Sequence, residues 1–459
     1  MNIIAETSSF DICIIGAGVA GCAMAAYLAD NGFHVAVVEK NLSELDRIVG
    51  ELMQPGGVQQ LTAMGLAHLL EGFDAQVVTG YALFLRDKNF AIQYPEGKMG
   101  RGFHNGKFVQ NMRKYIASKP TVTLIEGTVT SLIDYNNEIK GITYLIKDSE
   151  TEMKISAKLT VVSDGMFSTF RSTLSDSPKT ISSYFLGLVL QDCALPFPNH
   201  GHVIAAEPAP VLCYPISATE TRMLIDFPGT EAPRKSHALI AYLKEKIAVQ
   251  MPIEIQPSFF KAIEEGKFKV MPNHLCPARP KLKVGVVLIG DSLNMRHPLT
   301  GGGMTVALTD VHHIGSLLIA AKEKLTMDTI YTIVKEFYEK RHEQNATVNI
   351  LADALYGVMS NDDLKEACYD YLQQGGKQAS VPLSLLSALN RDSDDLLKHF
   401  IAVAVYGAAN MVLPSPTPAN LKRSYRMVKD AVHILSPLIL NERPGPFTKA
   451  TFKIVEKIF

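Results

Sequence analysis

Residues 10–39 constrain the fold more than any other part of the chain, because they hold strand, turn, helix and strand in immediate succession. Residues 10–16 (FDICIIG) form an apolar, β-branched run of the kind that fills a parallel strand buried on both faces. Gly16, Gly18 and Gly21 then give G-x-G-x-x-G, an alanine-rich stretch over 20–28 suits a helix, and 34–39 (HVAVVE) supplies a second strand. The three glycines serve different ends. The first permits the tight turn, the second lets backbone approach a pyrophosphate, and the third allows helix and strand to pack closely. The helix N-terminus offers unpaired N–H groups to the phosphates. Glu39, 23 residues after Gly16, is placed to accept from ribose hydroxyls. The unit is a dinucleotide-binding β-α-β, and its fingerprint serves NAD and FAD alike.

Two downstream signals separate the cofactors. Residues 161–165 (VVSDG) end a strand on Asp164 and Gly165, and 288–291 (LIGD) end another on Gly290 and Asp291. Aspartates beside glycine at strand ends approach sugar and phosphate oxygens closely. Together with GAGVAG they resemble the pattern of flavoprotein hydroxylases, which points to FAD. Residues 298–304 (PLTGGGM) then open a helix with Gly301, Gly302, Gly303 and Met304, whose bare N–H groups can stabilise negative charge on a reduced flavin ring.

Length and composition bound the rest. A chain of 459 residues suits about three units of ~150 residues. With 45 basic and 46 acidic residues there is no broad positive field, so no nucleic-acid partner is expected. Six scattered cysteines without a C-x-x-C pair encode neither a zinc site nor a dithiol centre, and no metal is expected. The fold class is α/β: a Rossmann-type FAD-binding domain, an antiparallel-sheet substrate domain and a C-terminal helical, membrane-associated region. The expected division is 1–178 and a return segment 281–327 for the FAD domain, 179–280 for the substrate domain and 328–459 for the helices.

Residues 290–308 (GDSLNMRHPLTGGGMTVAL) are too long and unusual a run for a generic flavin turn, and they closely resemble the signature of squalene epoxidases. DRIVGELMQPGG (46–57), EGFDAQVVTGY (71–81), GRGFHNGKF (100–108) and LTVVSDGMFSTFR (159–171) resemble the same family, in its order, across nearly the whole chain. The resemblance implies FAD contacts at Val19, Ala20, Glu39, Lys40, Arg47, Glu51, Arg113, Val129, Asp291 and Met304. It also implies a polar contact near the flavin between Tyr81 and Gln54, the expected catalytic pair. Lys40 departs from the arginine common in animal and fungal members, keeping the charge and losing a bidentate fork. As plain sequence, Arg47 and Arg113 read as surface cations and Tyr81 as a core aromatic.

The implied reaction is epoxidation of squalene to (S)-2,3-epoxysqualene with O2 through a flavin hydroperoxide, an opening step of sterol and triterpenoid biosynthesis. Electrons are expected from a separate NADPH-dependent reductase, or from a ferredoxin system in a bacterial host. On the residues alone, an FAD-dependent prenyl-lipid reductase and a non-enzymatic prenyl-protein carrier of related fold stay open. The intact GAGVAG, Glu39, Asp164 and Asp291 count against the carrier.

Membrane lipid is a further expected partner. Residues 1–9 hold no apolar stretch of spanning length, so the regulatory and membrane extension of many eukaryotic members is not expected to act here. Residues 400–413 (FIAVAVYGAANMVL) and 431–440 (AVHILSPLIL) are strongly apolar but too short to span a bilayer. Lys422, Arg423, Arg426 and Lys429 lie between them and are placed to meet headgroups. This suggests monotopic, cytosol-facing attachment to the endoplasmic reticulum in a eukaryote or the inner membrane in a bacterium. The plain alternative is a pair of core helices packed on the flavin domain.

Overall fold

The computed structural model describes residues 8–442 and Phe452; expectations that concern 1–7 and the rest of 443–459 lie outside the described residues. The buried apolar runs pair as parallel strands. Ser8–Ile15 lies between Val35–Glu39 and Glu152–Val162, parallel to both, and Val286–Leu288 adds beyond Glu152–Val162. Val35–Glu39 pairs in parallel with the start of Val122–Tyr135. Helices Val19–Asp30 and Gly303–Ala320 cover this sheet, burying Met24, Leu28, Leu308 and Val311 in one core with Ile12 and Val37. Gly16, Glu39, Ser163 and Ile289 emerge side by side at the strand ends, where open α/β sheets take their ligands.

Residues 121–162 read as short β-rich runs but form three long strands, Val122–Tyr135, Glu138–Ile146 and Glu152–Val162, joined antiparallel. Asn136 and Asn137 make the first turn with φ of 52° and 65°, the two positive values a tight type I′ hairpin demands.

The second sheet has seven strands in the order Lys269–Leu275, Thr180–Gln191, Glu220–Pro228, Val211–Pro215, His200–Ile204, Gly80–Leu85, Lys88–Gln93. It is antiparallel except where His200–Ile204 runs parallel to Gly80–Leu85. The hairpin at 80–93 therefore departs from the expected division at residue 178, since it completes the second sheet from within the first segment. A parallel pairing across some 120 residues leaves no mark in local periodicity. The sheet's far face is closed by Leu243, Ile247, Phe259 and Ile263 from short helices between residues 237 and 265.

Between residues 327 and 442 the chain is helical, as its sequence suggests: Met327–Met359, Asp362–Gln373, Gly376–Leu386, Ser393–Val412 and Pro418–Glu442. Thr326, Asn361 and Asp392 cap three of them by accepting from backbone N–H groups. Among the described residues no helix is long and apolar enough to cross a membrane. All of the apolar run 400–413 but Leu413 falls in Ser393–Val412, where Ala404 and Gly407 pack closely on Ala367 and Met427 of neighbouring helices.

Candidate FAD site and its apolar neighbour

The glycine turn is built as its spacing predicts. Gly16 has φ of +96°, and a Cβ there would lie 2.7 Å from the Ser163 carbonyl oxygen. A Cβ on Gly21 would lie 1.9 Å from the Gly16 carbonyl oxygen, whereas one on Gly18 would meet nothing within 4 Å. Gly16 and Gly21 thus set the turn and its packing, while Gly18 faces open space at an uncapped helix N-terminus. Ser163 locks the strand ends together, its Oγ donating to the carbonyls of Ile15 and Gly16 at 2.9 and 3.1 Å.

Glu39 accepts from the backbone N–H of Ala17 at 2.8 Å and of Asn41 at 3.1 Å. The buried Arg113 donates from Nε to the Ala17 carbonyl at 2.9 Å and from Nη1 to that of Ser43 at 3.2 Å. It braces the turn from beneath, although its sequence position on a helix reads as a surface cation. Lys40 and Arg47 stand exposed at the cavity rim.

These groups line a cavity of about 440 Å³ together with Val19, Ala20, Val129, Asp164, Asp291, Gly303 and Met304. Asp164 accepts from the Thr169 N–H at 3.2 Å, but its Oδ1 is buried without a hydrogen-bond partner. A buried carboxylate oxygen left open is costly and fits a ligand hydroxyl. Gly290 and Gly301 turn with φ of +62° and +64°, and helix Gly303–Ala320 starts without a side-chain cap. An uncapped helix end and a glycine-bared turn that donate backbone N–H groups, and a carboxylate oxygen that accepts, lie in one cavity and suit the phosphates and hydroxyls of FAD.

Glu51 is the exception among the expected contacts. It does not line the cavity; Arg222 takes its carboxylate through Nε at 2.6 Å and Nη2 at 3.1 Å. Arg171 is a position that motif reasoning passed over. Its guanidinium donates to the carbonyls of Gly165, Asp291 and Ser292 at 2.9, 2.7 and 2.9 Å, stapling the two aspartate-bearing loops. Its place seven residues after Asp164, closing a quoted block, was the available signal.

Gln54 and Tyr81 meet. Gln54 Nε2 donates to the Tyr81 hydroxyl at 2.6 Å and to the Thr300 carbonyl at 2.6 Å, and Gln54 Oε1 accepts from the Tyr94 hydroxyl at 2.8 Å. Burial pushes the Tyr81 phenol up to about 12, so it stays neutral. Tyr81 and Leu299 border the large cavity and also a second, apolar one walled by Leu355, Val358, Met359, Leu383, Leu386 and Phe400.

The comparisons agree with this geometry. A family model described as squalene epoxidase matches residues 156–423, and one described as glucose inhibited division protein A matches 11–180. A squalene monooxygenase of Panax ginseng is 44% identical over 95% of this chain and 82% of its own length. A squalene epoxidase of Schizosaccharomyces pombe is 38% identical over 95% of this chain and 99% of its own. Among solved structures, Klebsiella pneumoniae HpxO complexed with FAD superposes with a TM-score of 0.66 at 19% identity, covering 82% of this chain and 99% of that one. The flavin-dependent brominase Bmp2 gives 0.68 at 16%, covering 87% and 99%. At these identities the solved structures speak for the fold alone.

Proposed function

Because the chain belongs to the squalene epoxidase family, and so is an FAD-dependent monooxygenase acting on squalene, we propose that the apolar cavity behind Tyr81 holds the polyene. Family membership sets aside the reductase and carrier readings. The observation that carries the proposal is the shared border at Tyr81 and Leu299, which brings an apolar chamber against the cofactor cavity. An alkene offers no ionisable handle, so its recognition falls to apolar surface and shape.

Bound FAD supplies the activation of O2. The chain's own contribution is placement and dryness: the second sheet and the C-terminal helices wall the chamber, and water is kept from the reacting end. Gln54, fixed by Thr300 and Tyr94, holds the Tyr81 hydroxyl at the junction. From the family resemblance we assign electron delivery to a separate NADPH-dependent reductase, or to a ferredoxin system in a bacterial host.

Filling the chamber tests the assignment. Leu355→Trp is expected to keep its flavin and to lose at least tenfold in squalene turnover, measured as epoxide by product analysis with saturating reductase. Unchanged epoxide formation with a full flavin complement rules the chamber out. Tyr81→Phe, which removes one hydroxyl from the junction, is expected to retain FAD and to form epoxide several-fold more slowly. Turnover equal to the wild type would deny that hydroxyl a part in the reaction.

The same reading extends to the membrane. Val405, Leu413, Leu421, Tyr425 and Leu440 are exposed on or beside the last two helices, with Leu413 at 78% and Leu440 at 71%. Lys422, Arg426 and Lys429 are exposed among them, while Arg423 is committed to Asp363 through Nε at 2.9 and 3.1 Å. Such a surface enters one leaflet without crossing it, and gives the chamber access to a bilayer-dissolved substrate. Leu413→Glu combined with Leu421→Glu is expected to abolish sedimentation with anionic phospholipid vesicles and leave flavin content unchanged. Vesicle binding that survives both substitutions contradicts the assignment.

A further inference from the structure

Residues 297–300 carry the junction between the two cavities: Leu299 borders both, and the Thr300 carbonyl accepts from the Gln54 amide that meets Tyr81. His297 opens this segment and is buried. Its backbone N–H donates to Asp353 Oδ1 at 2.9 Å, and its Nδ1 accepts from the Leu299 N–H at 3.2 Å. Burial holds the imidazole neutral, its pKa pushed down to about 3, so with Nδ1 accepting the ring proton sits on Nε2. That Nε2 lies 3.0 Å from Ser183 Oγ.

The direction of each further bond follows from that tautomer. Ser183 Oγ receives His297 Nε2–H and, at 2.9 Å, Asn273 Nδ2–H, so its own proton goes to Asp226 Oδ1 at 2.6 Å. The Tyr356 hydroxyl donates to Asp226 Oδ2 at 2.9 Å, and its ring stacks on His297 with centroids 3.9 Å apart. Ser183, Asp226 and Asn273 stand on three adjacent strands of the second sheet, and Tyr356 and Asp353 on helix Met327–Met359. Among the described residues no lysine or arginine pairs with Asp226; the one basic side chain near it is the neutral His297, 3.8 Å away. Apolar side chains of similar volume would hold sheet to helix as well or better. Fastening alone therefore does not account for these polar groups, whereas a line that ends on the junction does. Ser183, Asp226 and Tyr356 themselves line neither cavity.

We propose that Ser183 and His297 are positioning residues for the epoxidation: the hydrogen-bonded line from Asp226 through Ser183 and His297 to the Leu299 N–H fixes the turn at Pro298–Thr300 and, through the Thr300 carbonyl, sets Gln54 and the Tyr81 hydroxyl. The line moves no proton and acts by place alone. Without Ser183 Oγ, His297 Nε2–H has Asp226 Oδ1 at 3.8 Å, beyond hydrogen-bond length. The imidazole then keeps a buried donor unpaired or swings towards Asp226, and either loosens its hold on Leu299. The proposal rests on the reading of Gln54 and Tyr81 as the junction, which Tyr81→Phe tests by itself.

The test is a double-mutant cycle of Ser183→Ala and Tyr81→Phe. Holoproteins are reduced stoichiometrically with dithionite and mixed with squalene and O2, and the rate of epoxide formation per bound flavin is read in a single turnover, so that the electron donor does not enter. Ser183→Ala is expected to keep its flavin and to slow epoxide formation about fivefold or more. The double variant is expected to lose less than the product of the two single losses, because both changes act on one amide. A wild-type rate in Ser183→Ala overturns the proposal while the junction reading stands. Single losses that multiply in full overturn it too, since Ser183 would then work apart from Tyr81. Tyr81→Phe at the wild-type rate dismisses the junction reading, and the proposal with it. Should Ser183→Ala not retain flavin, Tyr356→Phe takes its place in the cycle, removing one donor from Asp226 and leaving the ring on His297. A combined loss short of the product then upholds the line, and an unchanged rate or a full product refutes it.

Discussion

Gly21→Ala is expected to yield a protein without bound flavin. The added Cβ would stand 1.9 Å from the Gly16 carbonyl oxygen and 2.7 Å from Ser163 Oγ. Neither neighbour can yield cheaply. The Gly16 carbonyl belongs to the turn whose φ of +96° sets the loop, and Ser163 Oγ already donates to two strand-end carbonyls. The helix Val19–Asp30 must therefore move off the strand, at a cost at or above the ~1–3 kcal/mol typical of overpacking. Moving it displaces the N–H groups that face the cofactor. Gly18→Ala is the informative control, because its Cβ meets no protein atom within 4 Å. Its apoprotein should melt with the wild type, while its FAD affinity falls because the methyl occupies space meant for the pyrophosphate. Flavin absorbance of the purified proteins and thermal melts of the apoproteins check both. A yellow Gly21→Ala protein of normal stability would show that the turn tolerates what its geometry forbids.

That turn was legible in the sequence because every constraint on it is local: strand, glycines, helix and acid follow one another within residues 10–39, and parallel neighbours impose an unbroken apolar run. The strand-end aspartates were legible for the same reason. The Gly80–Leu85 pairing with His200–Ile204 was not, since alternation tells a strand which face is buried and says nothing of its neighbour. The buried role of Arg113 also escaped local reading, because its partners at Ala17 and Ser43 come from 96 and 70 residues away. The contact of Gln54 with Tyr81 was anticipated through family resemblance, not pattern. The C-terminal helices announced themselves by composition, but not that their half-apolar faces would meet one another and leave Leu413, Leu421 and Leu440 outside. Glu51 shows the limit most clearly. Its position matched a cofactor contact, while its side chain answers to an arginine 171 residues away.

Glu51→Ala is accordingly expected to act through stability before it acts on chemistry. Glu51 and Arg222 are 1% and 3% exposed, and the carboxylate is the arginine's only ion-pair partner among the described residues. Arg222 belongs to Glu220–Pro228 in the middle of the second sheet, and Glu51 directly precedes Leu52–Met53, which leads into Gln54. The pair thus ties the second sheet to the segment that carries the junction amide. Removing the carboxylate leaves a buried guanidinium with one long 3.3 Å contact to the Leu188 carbonyl and one of 3.5 Å to that of Arg47. Stranding a buried charge costs about 3–5 kcal/mol, which in a domain of this size lowers the melting temperature on the order of 10 °C. Epoxide formation should fall with it, because the Gln54 segment loses its anchor. Glu51→Met combined with Arg222→Met separates the lost pair from the stranded charge: it should recover most of the stability, since apolar replacement of a buried pair is often neutral or better. A Glu51→Ala protein that melts with the wild type would mean that water reaches Arg222 and that the pair does not tie the second sheet to the Gln54 segment.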